Sequence, residues 1–195
     1  MRKSTHLLRV AALALGVWSC APPDAGAPEP VGDIAPFQLS DQDGHPFGLE
    51  QMLGKVWVAD FFFTSCPSIC PLLTESMQEL AREFANEPEL RFLSISVDPE
   101  TDTPGVLRAH AESLRLPQTR WRLLSGPRAD VHALCEQSFR LAFGEEMSAD
   151  GDILHSTRLV IVDARGRVRS YHDALDPAAR TGLRKALRAV LAEQR

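Results

Sequence analysis

The stretch from Phe61 to Pro71 reads F-F-F-T-S-C-P-S-I-C-P, and its reading decides the fold. It closes an apolar run that begins at Val56 and stops at two cysteines, Cys66 and Cys70, each followed by a proline. Val56 to Phe63 has the near-continuous apolar pattern of a central parallel strand covered on both faces. If that strand feeds a helix, both thiols stand at its carboxyl end, the edge where open α/β sheets carry their chemistry. Asp60 interrupts the run. A carboxylate inside such a strand must be paired, shifted in pKa or functional, and this one lies within reach of the thiols if the strand points at them.

Downstream, Leu73, Met77, Leu80 and Phe84 recur at helical spacing, which predicts a helix to about Asn86 and makes Met77 part of the core stripe, not a metal ligand. Leu90 to Val97 reads as a second strand and ends in S-V-D-P-E-T-D-T-P, where Thr103 and Pro104 suit the N-cap and first position of a helix through Leu107, Ala111 and Leu114. Trp121 to Leu124 is a short third strand. Val131, Leu134, Cys135 and Leu141 line one side of a further helix, so Cys135 reads as a small buried hydrophobe. Gly144 to Leu154 is acidic and glycine-containing, a loop or hairpin leading to His155. A strand from Thr157 to Asp163, a turn at Arg165-Gly166, a strand from Val168 to His172 and a closing helix from Pro177 complete the chain. Upstream of the cysteines, two short strands meet at an Asp43-Gly44 turn, with His45 read as a solvated loop histidine. The order predicts an α/β, thioredoxin-like domain: a central mixed β-sheet with helices on both faces and an N-terminal hairpin extension.

The first residues stand outside that domain. Arg2, Lys3 and Arg9 precede an apolar segment, Val10 to Trp18, that is too short to span a bilayer, and Ser19 is a small residue at a cleavage point. Residues 1–19 therefore read as an export signal. Cleavage before Cys20 in V-W-S-C resembles a bacterial lipoprotein signal, which would make Cys20 a lipidated N-terminus in the cell envelope; an ordinary signal peptide or an uncleaved anchor are the alternatives. Residues 20–31 are proline-rich without apolar period and read as a tether, leaving 32–195 as the folded domain. Removing the three basic residues of the leader from a formal charge of −5 leaves −8, with no basic stripe to neutralise phosphates, which argues against nucleic acid. An exported chain can keep disulfides. Three cysteines remain besides Cys20, and Cys66 with Cys70 is the obvious pair.

Four positions apart on a helical turn, those cysteines place their β-carbons roughly 5–6 Å apart, close enough to form a disulfide or converge on one ion. At a helix N-terminus, the dipole is expected to lower thiol pKa and favour thiolates. Two soft thiolates suit Cu(I), and an added imidazole gives a three-coordinate site that can also hold Cu(II), whereas structural zinc wants a fourth ligand. His155 is the best candidate for that imidazole, because thioredoxin-like folds bring the loop before this strand against the cysteine turn.

Three segments, G-K-V-W-V-A-D-F-F-F-T-S-C-P-S-I-C-P, S-V-D-P-E-T-D-T-P and H-S-T-R-L-V-I-V-D, resemble those of the Sco/SenC family in content and order. These are thioredoxin-fold copper proteins tied to assembly of cytochrome c oxidase. The resemblance implies copper as the bound metal and places Cys66, Cys70 and His155 at the ligand positions. It implies as partners the copper-bearing oxidase subunit and an upstream copper donor or thiol reductant. Many relatives carry an aspartate directly before the histidine; here Leu154 stands there and Asp152 is nearer the turn. The alternative function is thiol–disulfide exchange through Cys66 and Cys70, with Asp60 spaced like the buried acid of thioredoxins. Against it stand a three-residue separation of the cysteines and the lack of any proline between Pro127 and Pro177. A peroxiredoxin reading fails on the T-x-C spacing of Thr64 and Cys66.

Overall fold

The computed structural model describes residues 26–141 and 156–194. At its centre is β4 (Val56–Phe62), all seven residues of which are buried. It pairs in parallel with β5 (Leu90–Ser96) and antiparallel with β7 (Arg158–Val162), so the unbroken apolar run reflects burial on both faces. The rest of the eight-stranded sheet follows the order β1-β8-β7-β4-β5-β6-β2-β3, with β6 (Trp121–Ser125) parallel to β5.

The N-terminal hairpin forms as expected. Strands β2 (Gln38–Asp41) and β3 (Pro46–Gly48) pair across a turn in which Gly44 takes a φ of +78°, a left-handed conformation that favours glycine. The hairpin docks on the β6 edge through Ser40 and Asp41. At the opposite edge, β8 (Arg167–Asp173) returns from β7 across a turn closed by Gly166, and β1 (Gly32–Asp33) adds to it. That two-residue strand carries no alternating pattern and was not expected from the sequence.

Among the described residues, four α-helices flank the sheet: α1 (Ile69–Glu83), α2 (Pro104–Ser113), α3 (Arg128–Ala133) and α4 (Pro177–Glu193). On α1, Leu73, Met77 and Leu80 are fully buried, with Phe84 just beyond its end. Thr103 does precede α2, but its side chain makes no capping bond, so the entry rests on Pro104 and backbone geometry. The helix expected to reach Leu141 is shorter. After α3 it widens into a π-helical turn, Leu134–Ser138, and Arg140 at a φ of +51° turns the chain back so that the Leu141 amide donates to the Cys135 carbonyl at 3.1 Å. The wider turn seats Phe139 edge-on against Trp57 and Phe61, with centroids 5.9 and 5.1 Å away.

The stretch read as a tether meets the domain before Gly32. Arg169, only 3% exposed, donates from Nε to the Pro28 carbonyl at 2.6 Å, and its guanidinium also pairs with Asp163 and Glu193. The Val31 amide donates to the Val168 carbonyl at 2.8 Å.

Candidate metal centre

The dithiol loop begins where β4 ends, the Val97 amide holding the Phe62 carbonyl at 2.9 Å. The chain then turns through Thr64 to Ser68, with the Cys66 amide donating to the Phe63 carbonyl at 3.2 Å, and α1 starts at Ile69. Pro71 is the third residue of that helix. First-turn amides have no intrahelical acceptor, so a proline there costs the helix no hydrogen bond. Cys70 is therefore inside the first turn and buried, while Cys66, just before it, is half-buried.

The two cysteines are joined by hydrogen bonds. The Cys70 amide donates to Cys66 Sγ at 3.4 Å, and the Cys70 thiol bonds the Cys66 side chain. Burial pushes the Cys70 thiol well above its ordinary range, reinforced by that bond and by the charge of Asp60; a backbone hydrogen bond from Phe63 works in the opposite direction without cancelling it. This corrects the expectation that the helix N-terminus lowers both thiols. For Cys70, loss of water outweighs the helix field, because only the charged form suffers the desolvation. Asp60 is 1% exposed and close enough for its charge to act on Cys70, as the strand register anticipates.

Cys66 and Cys70 open into a cavity of about 370 Å³ lined also by Phe63, Thr64, Glu75 and His110. The last of these was not anticipated. His110 stacks on Phe62 with centroids 5.8 Å apart, and burial lowers its pKa against an opposing push from Asp102. Its place beside the Leu107–Ala111–Leu114 stripe was readable from helical spacing, but its nearness to the thiols is tertiary. Asp102, completely buried, accepts hydrogen bonds from Thr64 and Ser96 and was likewise missed.

His155 and Cys20 lie outside the described residues. Cys135 is buried, its thiol facing the Leu141 carbonyl at 3.6 Å, and burial with the nearby Glu136 charge pushes its pKa up to about 12. It is a core residue, as its helical position predicts. Among the described residues, Asp41, Asp43 and His45 also cluster closely enough to hold an ion. Arg122 and Arg108 already balance those carboxylates, at 2.9 and 3.2 Å from Asp43, and His45 is 76% exposed as expected. The sulfur pair is different. It offers two soft donors at one cavity wall, a set matched to a thiophilic ion or to reversible disulfide formation.

Fold and site together define a thioredoxin-like domain with a C-x-x-x-C dithiol at the carboxyl end of its central strand. The SCO1/SenC family model matches residues 27–191, and the chain belongs to that family. A SCO1 protein homolog from Bacillus subtilis is 31% identical over 146 residues, 74% of this chain and 75% of its own. The solved structure of BsSco, described as a member of the Sco family of cytochrome c oxidase assembly proteins with a disulfide switch, superposes with a TM-score of 0.73. It is 27% identical over 85% of this chain and 98% of its own. ScoI from Bradyrhizobium japonicum, solved with copper bound, gives a TM-score of 0.64 at 27% identity, covering 78% of this chain and 98% of its own.

Proposed function

We propose that this chain is a copper chaperone of the cell envelope that binds copper through Cys66, Cys70 and His155 and passes it to the dinuclear copper site of cytochrome c oxidase during assembly. The observation that carries the reading is the hydrogen-bonded sulfur pair, Cys70 buried and Cys66 half-buried, both lining one cavity. Copper bound to the Bradyrhizobium relative and the oxidase-assembly role described for BsSco support it. Cys66 and Cys70 would supply thiolates, and the polarizable sulfurs would favour Cu(I) while leaving it exchangeable at the open side.

The raised thiol of Cys70 gives the reading a test. Cys70 stays protonated throughout the neutral range and must release its proton when it becomes a ligand, so apparent affinity should climb with pH. Between pH 6 and 8 a gain of about tenfold per pH unit is expected for that one proton. Competition titrations of the reduced domain with a Cu(I) chelator measure the slope, and a flat profile would remove Cys70 from the ligand set.

A second reading shares the residues. Cys66, half-buried and accepting from Cys70, has the position of an attacking thiolate, and buried Cys70 that of a resolving thiol. Attack on a partner disulfide would form a mixed disulfide and release one partner thiolate. Cys70, giving its proton toward Asp60, would then displace the second and close the Cys66–Cys70 bond. The disulfide switch described for BsSco favours keeping this exchange alongside delivery.

Anchoring at Cys20 would hold the protein at a membrane facing the periplasm or the extracellular side. A fatty-acid analogue fed to expressing cells should label the wild type and not Cys20→Ala. Persisting label would mean that Cys20 is not the lipid site.

A further inference from the structure

We propose that Asp102 is the positioning residue of the dithiol, setting the spacing of Cys66 and Cys70 through Thr64; this rests on reading those two cysteines as the working thiols. Asp102 is 0% exposed, and its carboxylate accepts from one amide and two hydroxyls. Oδ2 accepts from the Thr64 amide at 3.0 Å and from Ser96 Oγ at 2.6 Å, and Oδ1 accepts from Thr64 Oγ1. One carboxylate thus grips Thr64 at two points from a neighbouring loop, 38 residues away in sequence.

The grip falls where it governs both sulfurs. Phe63, directly before Thr64, offers its carbonyl to the Cys66 amide at 3.2 Å and a backbone hydrogen bond to the Cys70 thiol. The carbonyl belongs to the Phe63–Thr64 peptide that Asp102 grips and the Phe63 amide lies one residue-width upstream, so displacing Thr64 shifts the Cys66 contact directly and the Cys70 contact through Phe63. The gripping loop is itself closed. The Asp102 amide donates to the Asp98 carbonyl at 2.9 Å, and Ser96 Oγ also receives the Asp98 amide at 3.1 Å. The segment S-V-D-P-E-T-D-T-P acts as a brace between the exit of β5 and the exit of β4.

Holding two sulfurs at a fixed separation raises the effective concentration of each for the other, which strengthens both their disulfide and their joint hold on one ion. Releasing the brace should weaken both together. Asp102→Ala leaves the Thr64 and Ser96 donors without their acceptor. Asp102→Asn can keep the geometry: its amide oxygen serves the Thr64 amide and Ser96, while its NH₂ donates to Thr64 Oγ1, which can accept.

The experiment compares these variants as the full chain, by equilibration with glutathione redox buffers and by Cu(I) competition. Asp102→Ala should destabilise the Cys66–Cys70 disulfide by about tenfold or more, a potential about 30 mV less negative. It should weaken Cu(I) binding to a similar degree, and Asp102→Asn should stay within about threefold of wild type on both measures. If Asp102→Ala does not fold, Thr64→Val decides: it removes the hydroxyl contact, keeps the amide, and should shift the same two quantities in the same direction. Wild-type values in a folded Asp102→Ala or Thr64→Val would overturn the proposal, as would an equal loss in Asp102→Asn, which would make charge and not placement the cause. If the wild type itself binds no copper, the chaperone reading fails, while the glutathione equilibrium still tests the brace.

Discussion

Mild oxidation of the reduced domain is expected to join Cys66 to Cys70, leave Cys135 free, and abolish copper binding. The argument is one of shared electrons. A sulfur bonded to its neighbour has no thiolate lone pair to donate at full strength, so disulfide and metal exclude one another. The structure already holds the two thiols in mutual hydrogen bonding, and it buries Cys135 among core side chains. Mass spectrometry of the oxidised protein, with free thiols alkylated first, identifies the linked pair. Copper titration before and after reduction then gives the effect, from no binding to tight binding. A linkage through Cys135 would overturn this division of the cysteines, because it would require the core around Phe139 to open.

His155→Ala is expected to weaken copper binding about a hundredfold or more, the loss being larger for Cu(II) than for Cu(I) because imidazole nitrogen matters more to the harder ion. A hundredfold corresponds to about 2.7 kcal/mol, modest for removing one ligand of three. The fold and the Cys66–Cys70 couple should be nearly unaffected, which circular dichroism and glutathione equilibration check. In a strain lacking the native protein, the variant should fail to restore oxidase activity, with partial rescue by excess copper. Full binding and full oxidase assembly would mean that another group completes the site, and thiol exchange would become the better reading.

The central architecture was legible because burial on two faces leaves an unmistakable signature. Val56 to Phe62 has no polar alternation to confuse it, and the α1 stripe repeats at helical spacing. Turns were legible where backbone geometry demands a residue type, as at Gly44 and Gly166. The side-by-side placement of Cys66 and Cys70 was readable from their spacing. What escaped depends on contacts between distant segments. Asp102 looks like any acidic residue before a helix, and only the folded chain brings it to Thr64. His110 was hidden for the same reason. The direction of the Cys70 shift was misjudged because a sequence displays the helix terminus but not the depth at which it is buried. The π-helical turn before Phe139 answers to the shape of the Trp57 and Phe61 rings, which no local pattern encodes.

The grip of Arg169 on Pro28 gives the molecule a top and a bottom. Asp163 follows the carboxyl end of β7, which runs antiparallel to β4, so the Arg169–Asp163–Glu193 knot sits at the end of the sheet away from the thiols. A seven-residue strand separates the two ends by roughly 20 Å. A chain moored by its N-terminus is therefore held by its foot, with the sulfurs pointing outward like the head of a lamp on a short stem. If Cys20 is the mooring, the stretch of chain between it and the contact at Pro28 can span no more than about 30 Å. On that proposed mooring and the proposed delivery role, a copper acceptor would have to present its receiving site within that reach plus the height of the domain.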